Sequence, residues 1–217
     1  MTTDARRPLA SRKFTFFHRL ASFLVKRGIT PNQISVTSAF FGLFAGLAFY
    51  LAANFIDLPA YISLLLAMLF VQLRLVCNLI DGLMAVENGL KTDNGDLYNE
   101  VPDRVADSLI LLGAGYGAAR MLPHALELGW LATVLAVATA YIRCLGAAVK
   151  GVHIFVGPMA KPQRMFLIII AGVGSMIELY FGFYGYSLSV ALALIALGSL
   201  ITCIRRLGII ARTKKAG

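Results

Sequence analysis

Six long apolar segments, separated by short polar stretches, dominate the hydrophobic pattern of this chain. Each contains about 20 mostly apolar residues, which is the length that an α-helix needs to cross the hydrocarbon core of a bilayer. The pattern therefore predicts an all-α integral membrane protein with six transmembrane helices. Their predicted ranges are 34–56, 59–80, 103–121, 128–149, 165–182 and 186–204.

An additional helix is predicted ahead of the first apolar segment, within residues 11–28 (SRKFTFFHRLASFLVKRG). Its apolar side chains share one helical face: Phe16, Phe17, Leu20, Phe23 and Leu24. Its basic side chains surround the rest: Arg12, Lys13, Arg19, Lys26 and Arg27. This pattern is typical of an amphipathic helix that lies in the membrane interface, and we expect Gly28 to end it. The predicted domains are an interfacial helix at 1–30 and a six-helix membrane domain at 31–217.

The sequence TPNQ predicts the start of the first membrane helix. Thr30 can cap the helix, Pro31 suits its first position, and Gln33 can complete a capping box. Gly42 and Gly46 follow as a GxxxG pair, which permits close helix contact. That contact is expected either within the chain or in a homodimer.

Composition and charge support the membrane class. The chain is 59% hydrophobic and 14% charged, with a mean hydropathy of +0.76. Its net charge of +9 is better explained by basic tails that face the cytoplasm and anionic lipid than by nucleic acid, which we do not expect as a partner. Both tails and the loop before the fifth membrane helix are rich in Lys and Arg, whereas the opposite side has only Arg120. We therefore expect a multi-pass protein of the cell or inner membrane with cytoplasmic termini.

The acidic residues are concentrated between the second and third predicted spans. Seven of the 11 acids lie in residues 78–107: Asp81, Glu87, Asp93, Asp96, Glu100, Asp103 and Asp107. One interpretation is a solvated acidic loop. The other is a functional site, because carboxylates at the ends of membrane helices are costly unless cations or partners satisfy them.

The helical register of this stretch has two alternatives. On one continuous helix, a single face would carry Asp96, Asn99, Glu100, Asp103 and Asp107. Alternatively, the helix begins near Val101 with Pro102 in its first turn. In both cases carboxylates converge from two helix ends and repel each other. An oxygen-preferring divalent cation would relieve that repulsion and would suit chemistry on a phosphate group.

The same stretch resembles the motif of the CDP-alcohol phosphotransferase family, Asp-x2-Asp-Gly-x2-Ala-Arg-x8-Gly-x3-Asp-x3-Asp. The spacing fits from end to end, with the motif positions occupied by Asn78, Asp81, Gly82, Ala85, Val86, Gly95, Asn99 and Asp103. The sequence GITPNQIS also resembles the start of the first membrane helix in the family. The departures from the motif are Asn78, Val86 and Asn99.

A second register is possible, because DRVAD at 103–107 resembles the Asp-Pro-Val-Ala-Asp often found at the last two acids of the family. It places Asp103 and Asp107 as the final pair, with one helical turn inserted before them. This second register is favoured because it keeps three of the four carboxylates of the family motif.

The resemblance implies a divalent metal, Mg²⁺ or Mn²⁺, whose expected ligands are Asp81, Asp103 and Asp107, with oxygen atoms from Asn78 and from Asn99 or Glu100. It implies a nucleotide site formed by Asn78, Asp81, Gly82, Ala85 and Gly95. The last acid, Asp107 in the favoured register or Asp103 in the other, would deprotonate the acceptor.

Basic residues near these acids complete the predicted site. The resemblance implies that the phosphate of the acceptor is held by Arg104, Arg143, Lys150, Lys161 and Arg164. An ordinary positive-inside loop is the alternative. Arg74, one turn before Asn78, is expected either to replace the missing motif Arg or to pair with Asp81.

The resemblance implies an enzyme that transfers a substituted phosphate group from a CDP-alcohol, CDP-diacylglycerol in particular, to a small alcohol. That acceptor could be a polyol phosphate such as glycerol or inositol phosphate, and CMP would be released. Two other classes remain open: a non-catalytic relative that binds CDP-lipid, and a small transporter that couples to cations through the same acids.

Overall fold

The computed structural model describes residues 15–54, 58–87, 90, 94–151 and 153–213. These residues form α-helices connected by short turns and loops. The helices are α1 (Thr15–Lys26), α2 (Pro31–Ala52), α3 (Leu58–Glu87), α4 (Gly95–Ala119), α5 (Ala125–Lys150), α6 (Lys161–Tyr180) and α7 (Tyr186–Arg212).

The predicted all-α membrane class is confirmed. Five of the described helices, α2, α3, α5, α6 and α7, are long and apolar enough to cross a membrane. Every predicted span coincides with a helix, although the helices extend beyond most of the predicted ends. α4 is less apolar than these five helices, because five of its 25 residues are charged.

The stretch between the second and third predicted spans is mostly helical rather than a loop. α3 continues to Glu87, and α4 already begins at Gly95, so Pro102 lies inside α4. Of the two alternatives, the continuous helix that carries Asp96 to Asp107 is therefore confirmed, and the start near Val101 is wrong. A proline removes only one hydrogen bond of the helix, and α4 is held on both sides of it by contacts of Glu100 and Asp103 with neighbouring helices. Asp93 and the first four basic residues of the chain lie outside the described residues.

The predicted start of α2 is confirmed. The Thr30 side chain accepts a hydrogen bond from the Gln33 backbone N–H at 3.3 Å, and the Gln33 side chain accepts one from the Thr30 N–H at 3.0 Å. α1 ends as expected just before Gly28, whose φ is +78°. α1 then packs through Ala21 against the end of α3.

The GxxxG pair serves contacts inside the chain. A Cβ atom on Gly46 would lie 2.2 Å from the Leu109 carbonyl oxygen, and one on Gly42 would lie 2.6 Å from the Ala106 Cα. α2 and α4 can therefore approach this closely only with glycine at both positions. α4 also packs against α5, and α6 packs against α3 and α7. This arrangement brings the polar residues of α3, α4 and α6 together.

Candidate active site

The three predicted carboxylates lie inside the helix bundle and not in a solvated loop. Asp81 is 5% exposed, Asp103 4% and Asp107 3%. Asp81 comes from the last two turns of α3, whereas Asp103 and Asp107 come from successive turns of α4. Burying carboxylates in this way requires compensating cations or hydrogen-bond donors.

Arg74 supplies part of that compensation. Its side chain is fully buried, and its Nη2 lies 3.1 Å from Asp103 Oδ1 and 2.5 Å from Asp107 Oδ1. It thus pairs with two of the four acids of α4, and the pair with Asp81, one of its two expected roles, is not formed. Two further Arg74 donors, Nε and Nη1, are buried without a hydrogen-bond partner among the described residues.

Arg164 of α6 holds Asp107 from the other side. Its Nη2 lies 2.8 Å from Asp107 Oδ2, and its side chain is 2% exposed. Each oxygen of Asp107 thus faces a different guanidinium group, one from α3 and one from α6. This carboxylate joins three helices electrostatically.

Lys161, the first residue of α6, reaches the motif residues of the other two helices. Its Nζ donates to Asn78 Oδ1 at 3.0 Å and also to Asp103 Oδ2. The Asn78 amide nitrogen donates to the Arg74 carbonyl oxygen at 2.9 Å, which leaves the amide oxygen directed at the ammonium. Arg104 lies farther away, with its Nη2 3.7 Å from Asp103 Oδ2.

Asp81 is bound by a residue that sequence reasoning did not assign to the site. The Ser35 hydroxyl donates to Asp81 Oδ2 at 2.5 Å, and Ser35 is itself 5% exposed. Ser35 is the last residue of the GITPNQIS segment, so that segment was the available signal. The first membrane helix is thereby connected to the motif on α3.

A second ionic contact lies beside the carboxylates. Arg143 of α5 pairs with Glu100 of α4, and its guanidinium lies 5.6 Å from the ring centre of Phe155. Both charged side chains remain partly exposed, at 21% and 32%. Glu100 also lies 3.8 Å from Arg104 Nη2, so two arginines engage this carboxylate.

The other predicted residues are less closely engaged. Lys150 ends α5 and forms no ion pair among the described residues, and Asn99 forms no side-chain hydrogen bond there. Gly82 is buried and Ala85 is half-buried in α3, and Gly95 begins α4. The Gly82 backbone N–H donates a hydrogen bond to the Asp81 carboxylate.

Arg206 is a basic residue that the sequence reading assigned to the C-terminal tail. It is 5% exposed in α7, where its Nη1 donates to the Thr139 carbonyl at 2.5 Å and its Nε to the Val156 carbonyl at 3.0 Å. Its contacts fix the loop between α5 and α6 next to Arg164, because Arg164 donates to the Met159 carbonyl of the same loop at 3.3 Å. The sequence analysis treated Arg206 only as one of the basic residues that indicate membrane topology, so it did not predict these contacts.

The donor types of the site fit a divalent cation, but its charge balance is unusual. Carboxylate and amide oxygens such as those of Asp81, Asp103 and Asn78 are preferred ligands of such ions. Within the described part of the chain, no three His, Cys, Asp or Glu side chains converge as a metal-binding group. Asp103 and Asp107 are instead contacted by cationic side chains of the protein itself.

Comparisons with known proteins agree with this architecture. No protein-family model matches the sequence. The chain is 30% identical over 203 residues to a phosphatidylinositol phosphate synthase of Streptomyces avermitilis, a match that covers 88% of this chain and 78% of that protein.

Solved structures of a similar protein share the fold. They are crystal structures of the phosphatidylinositol phosphate synthase PgsA1 of Mycobacterium tuberculosis, one with manganese and citrate and one with CDP-DAG bound. Both have a TM-score of 0.76 and 22% identity; the first match covers 91% of this chain and 90% of the other, and the second covers 92% and 96%. The identity to the Streptomyces enzyme, with the motif on α3 and α4, shows that the chain belongs to the CDP-alcohol phosphotransferase family.

Proposed function

We propose that the protein transfers a phosphatidyl group from CDP-diacylglycerol to the hydroxyl group of a small phosphorylated alcohol and releases CMP. Membership of the family supports the reaction type, and the relatives named phosphatidylinositol phosphate synthase support a polyol phosphate as acceptor. The CDP-DAG bound in the structure of the similar Mycobacterium tuberculosis protein supports the donor.

The observation that carries the proposal is the buried placement of Asp81 and Asp103 at motif positions beside a group of cationic side chains. In the proposed reaction, the acceptor oxygen forms a bond to the phosphatidyl phosphorus. The bond from that phosphorus to the CMP oxygen breaks, and the hydroxyl proton passes to a carboxylate. Cationic groups stabilise the charge that develops on the phosphate oxygens and on the leaving CMP.

We propose Asp103 as the last acid of the motif and as the proton acceptor. This register needs no insertion, and it is supported by Lys161, which contacts both Asn78 and Asp103 and so relates the first motif position to the last. Asp107 lies one turn farther along α4 between two buried arginines. Both of these arginines are buried, whereas Asp103 also faces Lys161, whose side chain is 23% exposed, so an acceptor can reach Asp103 more readily than Asp107.

A divalent cation is part of the proposal, and its assignment to Mg²⁺ is ours. The manganese in the structure of the similar Mycobacterium tuberculosis protein supports a divalent ion of this kind. Asp81 and Asp103 would hold it, with Asn78 as an additional oxygen donor. When bound, it would neutralise charge on the pyrophosphate of the donor.

The acceptor phosphate is proposed to bind at Arg104 and Arg143, with Lys150 nearby at the end of α5. The side chains of Arg104 and Arg143 are 23% and 21% exposed, so a water-soluble acceptor can reach them. Arg164 is largely buried and engaged with Asp107, so it lies behind this surface, and Lys161, although 23% exposed, is engaged with Asp103. Guanidinium groups match phosphate oxygens in geometry and charge.

We propose that the protein crosses the membrane six times, and that α4 forms a span in addition to the five apolar helices. Its 25 residues correspond to about 37 Å at 1.5 Å per residue, which exceeds the bilayer core of about 30 Å. α1 would lie in the interface, because Phe16 and Phe23 project from it and are 68% and 52% exposed. The Lys and Arg distribution supports cytoplasmic termini and a cytoplasmic active site.

The proposed topology predicts that Asn94, an exposed residue just before α4, faces the cytoplasm. In a variant lacking the three native cysteines, Asn94→Cys should resist a membrane-impermeant thiol reagent in intact cells and react after permeabilisation. The measurement is labelling followed by gel shift. Reaction in intact cells would contradict the orientation.

The reaction is tested with purified protein reconstituted in vesicles that contain CDP-diacylglycerol. We expect CMP formation that depends on added glycerol phosphate or inositol phosphate and on Mg²⁺, measured by chromatography of the nucleotide. CDP-lipid binding without CMP formation would instead favour a non-catalytic relative. Cation movement without CMP formation would favour the transporter.

A further inference from the structure

The Lys161 ammonium occupies the space between two motif positions of the site. It contacts Asn78 on α3 and Asp103 on α4, while its own backbone begins α6. Its side chain is 23% exposed, whereas that of Asp103 is 6% exposed. A positive charge of the protein therefore lies where oxygen ligands from two helices converge.

Asn78 is well suited to an ammonium neighbour. Its amide nitrogen is fixed by the Arg74 carbonyl at 2.9 Å, so its oxygen faces Lys161 at 3.0 Å. An ammonium group offers three donors and no acceptor, and a neutral amide oxygen accepts one of them without adding a second negative charge. The family motif has Asp at this position, so the neutral Asn78 lowers the negative charge that faces the lysine.

The remaining charge at the motif positions is small. Asn78 and Asn99 replace two acids of the motif, which leaves Asp81 and Asp103. Two carboxylates balance the charge of one divalent ion. One of these two already pairs with Lys161.

We propose that Lys161 is a resident cation of the active site, and that its ammonium competes with a divalent ion for Asp103. The site then takes a single divalent ion, and it binds that ion weakly because the ammonium must give up its contact with Asp103. This inference rests on the proposed function only in assuming that the site receives a divalent ion.

The test is a titration of the purified full-length protein in detergent with Mn²⁺ alone, without lipid substrate, followed by electron paramagnetic resonance of the free ion. We expect one Mn²⁺ per wild-type chain. Lys161→Gln should tighten binding by about tenfold or more, a change equivalent to about 1.4 kcal/mol. Glutamine removes the charge and still offers a hydrogen-bond donor. Lys26→Gln, an exposed lysine of α1, is the matched control and should bind as the wild type does.

A second measurement uses the unaltered protein, so that a folding defect of the variant cannot decide the outcome. Lys161 should be acetylated faster by an amine-reactive reagent in saturating Mn²⁺ than without it, because the ion releases the ammonium from Asp103. Lys26 should react equally in both conditions, as measured by mass spectrometry.

Equal Mn²⁺ affinity of wild type and Lys161→Gln, absence of Mn²⁺ binding to either, or an acetylation rate of Lys161 that does not rise with Mn²⁺ would each overturn the inference. Neither measurement depends on CMP formation. A protein that fails the CMP assay but shows both effects would therefore refute the proposed function and leave the role of Lys161 intact.

Discussion

Replacement of Asp103 by Asn is expected to lower CMP formation by about a thousandfold or more, equivalent to about 4 kcal/mol of transition-state stabilisation. Asn has nearly the same shape but cannot accept the acceptor proton, and it offers a neutral oxygen in place of a charged one. Proton transfer by a positioned side chain contributes about a hundredfold to ten-thousandfold. Loss of the charge that faces Arg74 and Lys161 adds to this effect.

The measurement is single-turnover CMP formation at saturating Mg²⁺, together with the thermal unfolding midpoint in detergent. Asp96→Asn is the matched control, because Asp96 lies in the first turn of the same helix but is exposed and forms no ion pair among the described residues. It should retain nearly full activity. A loss of less than tenfold in Asp103→Asn would remove Asp103 from both proposed roles.

Much of the fold follows from local signals in the sequence. The capping residues Thr30 and Gln33 set the start of α2 and are observed in that role. The apolar segments all became helices, because their lengths and hydrophobicity leave few alternatives in a membrane. The GxxxG pair predicted close packing but not its partner, since the helix that approaches Gly46 is encoded more than 50 residues away.

The site was predicted less completely, because long side chains connect helices that are distant in sequence. The burial of Asp81, Asp103 and Asp107 agrees with the expectation that acids at membrane-helix ends need partners. Which cation contacts which acid depends on helix packing that the sequence pattern does not encode. Arg74, for example, reaches across to α4 instead of pairing with the acid on its own helix.

Pro102 left the start of α4 open between two alternatives in the sequence. The residue was a reasonable signal for a helix start, because proline suits the first turn. α4 nevertheless begins at Gly95, seven residues earlier. Contacts of Glu100 with Arg143 and of Asp103 with Arg74 stabilise the helix on both sides of the proline. Tertiary contacts thus outweighed the local preference.

The other large effect is expected at Asp107, on stability rather than on turnover. Its two oxygens face Arg74 at 2.5 Å and Arg164 at 2.8 Å, and all three side chains are buried. Asp107→Asn would leave two buried guanidinium groups without their shared counter-ion. Breaking a buried ion pair by removing one partner typically costs about 3–5 kcal/mol, so a marked fall in the thermal unfolding midpoint is expected.

Activity separates this structural role from the catalytic one. CMP formation per folded molecule should remain within about tenfold of the wild type in Asp107→Asn, because Asp81 and Asp103 keep their positions. Arg74→Leu should cost less stability than Asp107→Asn, since it leaves Asp107 paired with Arg164 and Asp103 paired with Lys161. A hundredfold loss of single-turnover rate in Asp107→Asn, with an unchanged unfolding midpoint, would contradict the structural role of Asp107. Asp107 would then be the proton acceptor, and the motif would be read with Asp103 and Asp107 as its last pair.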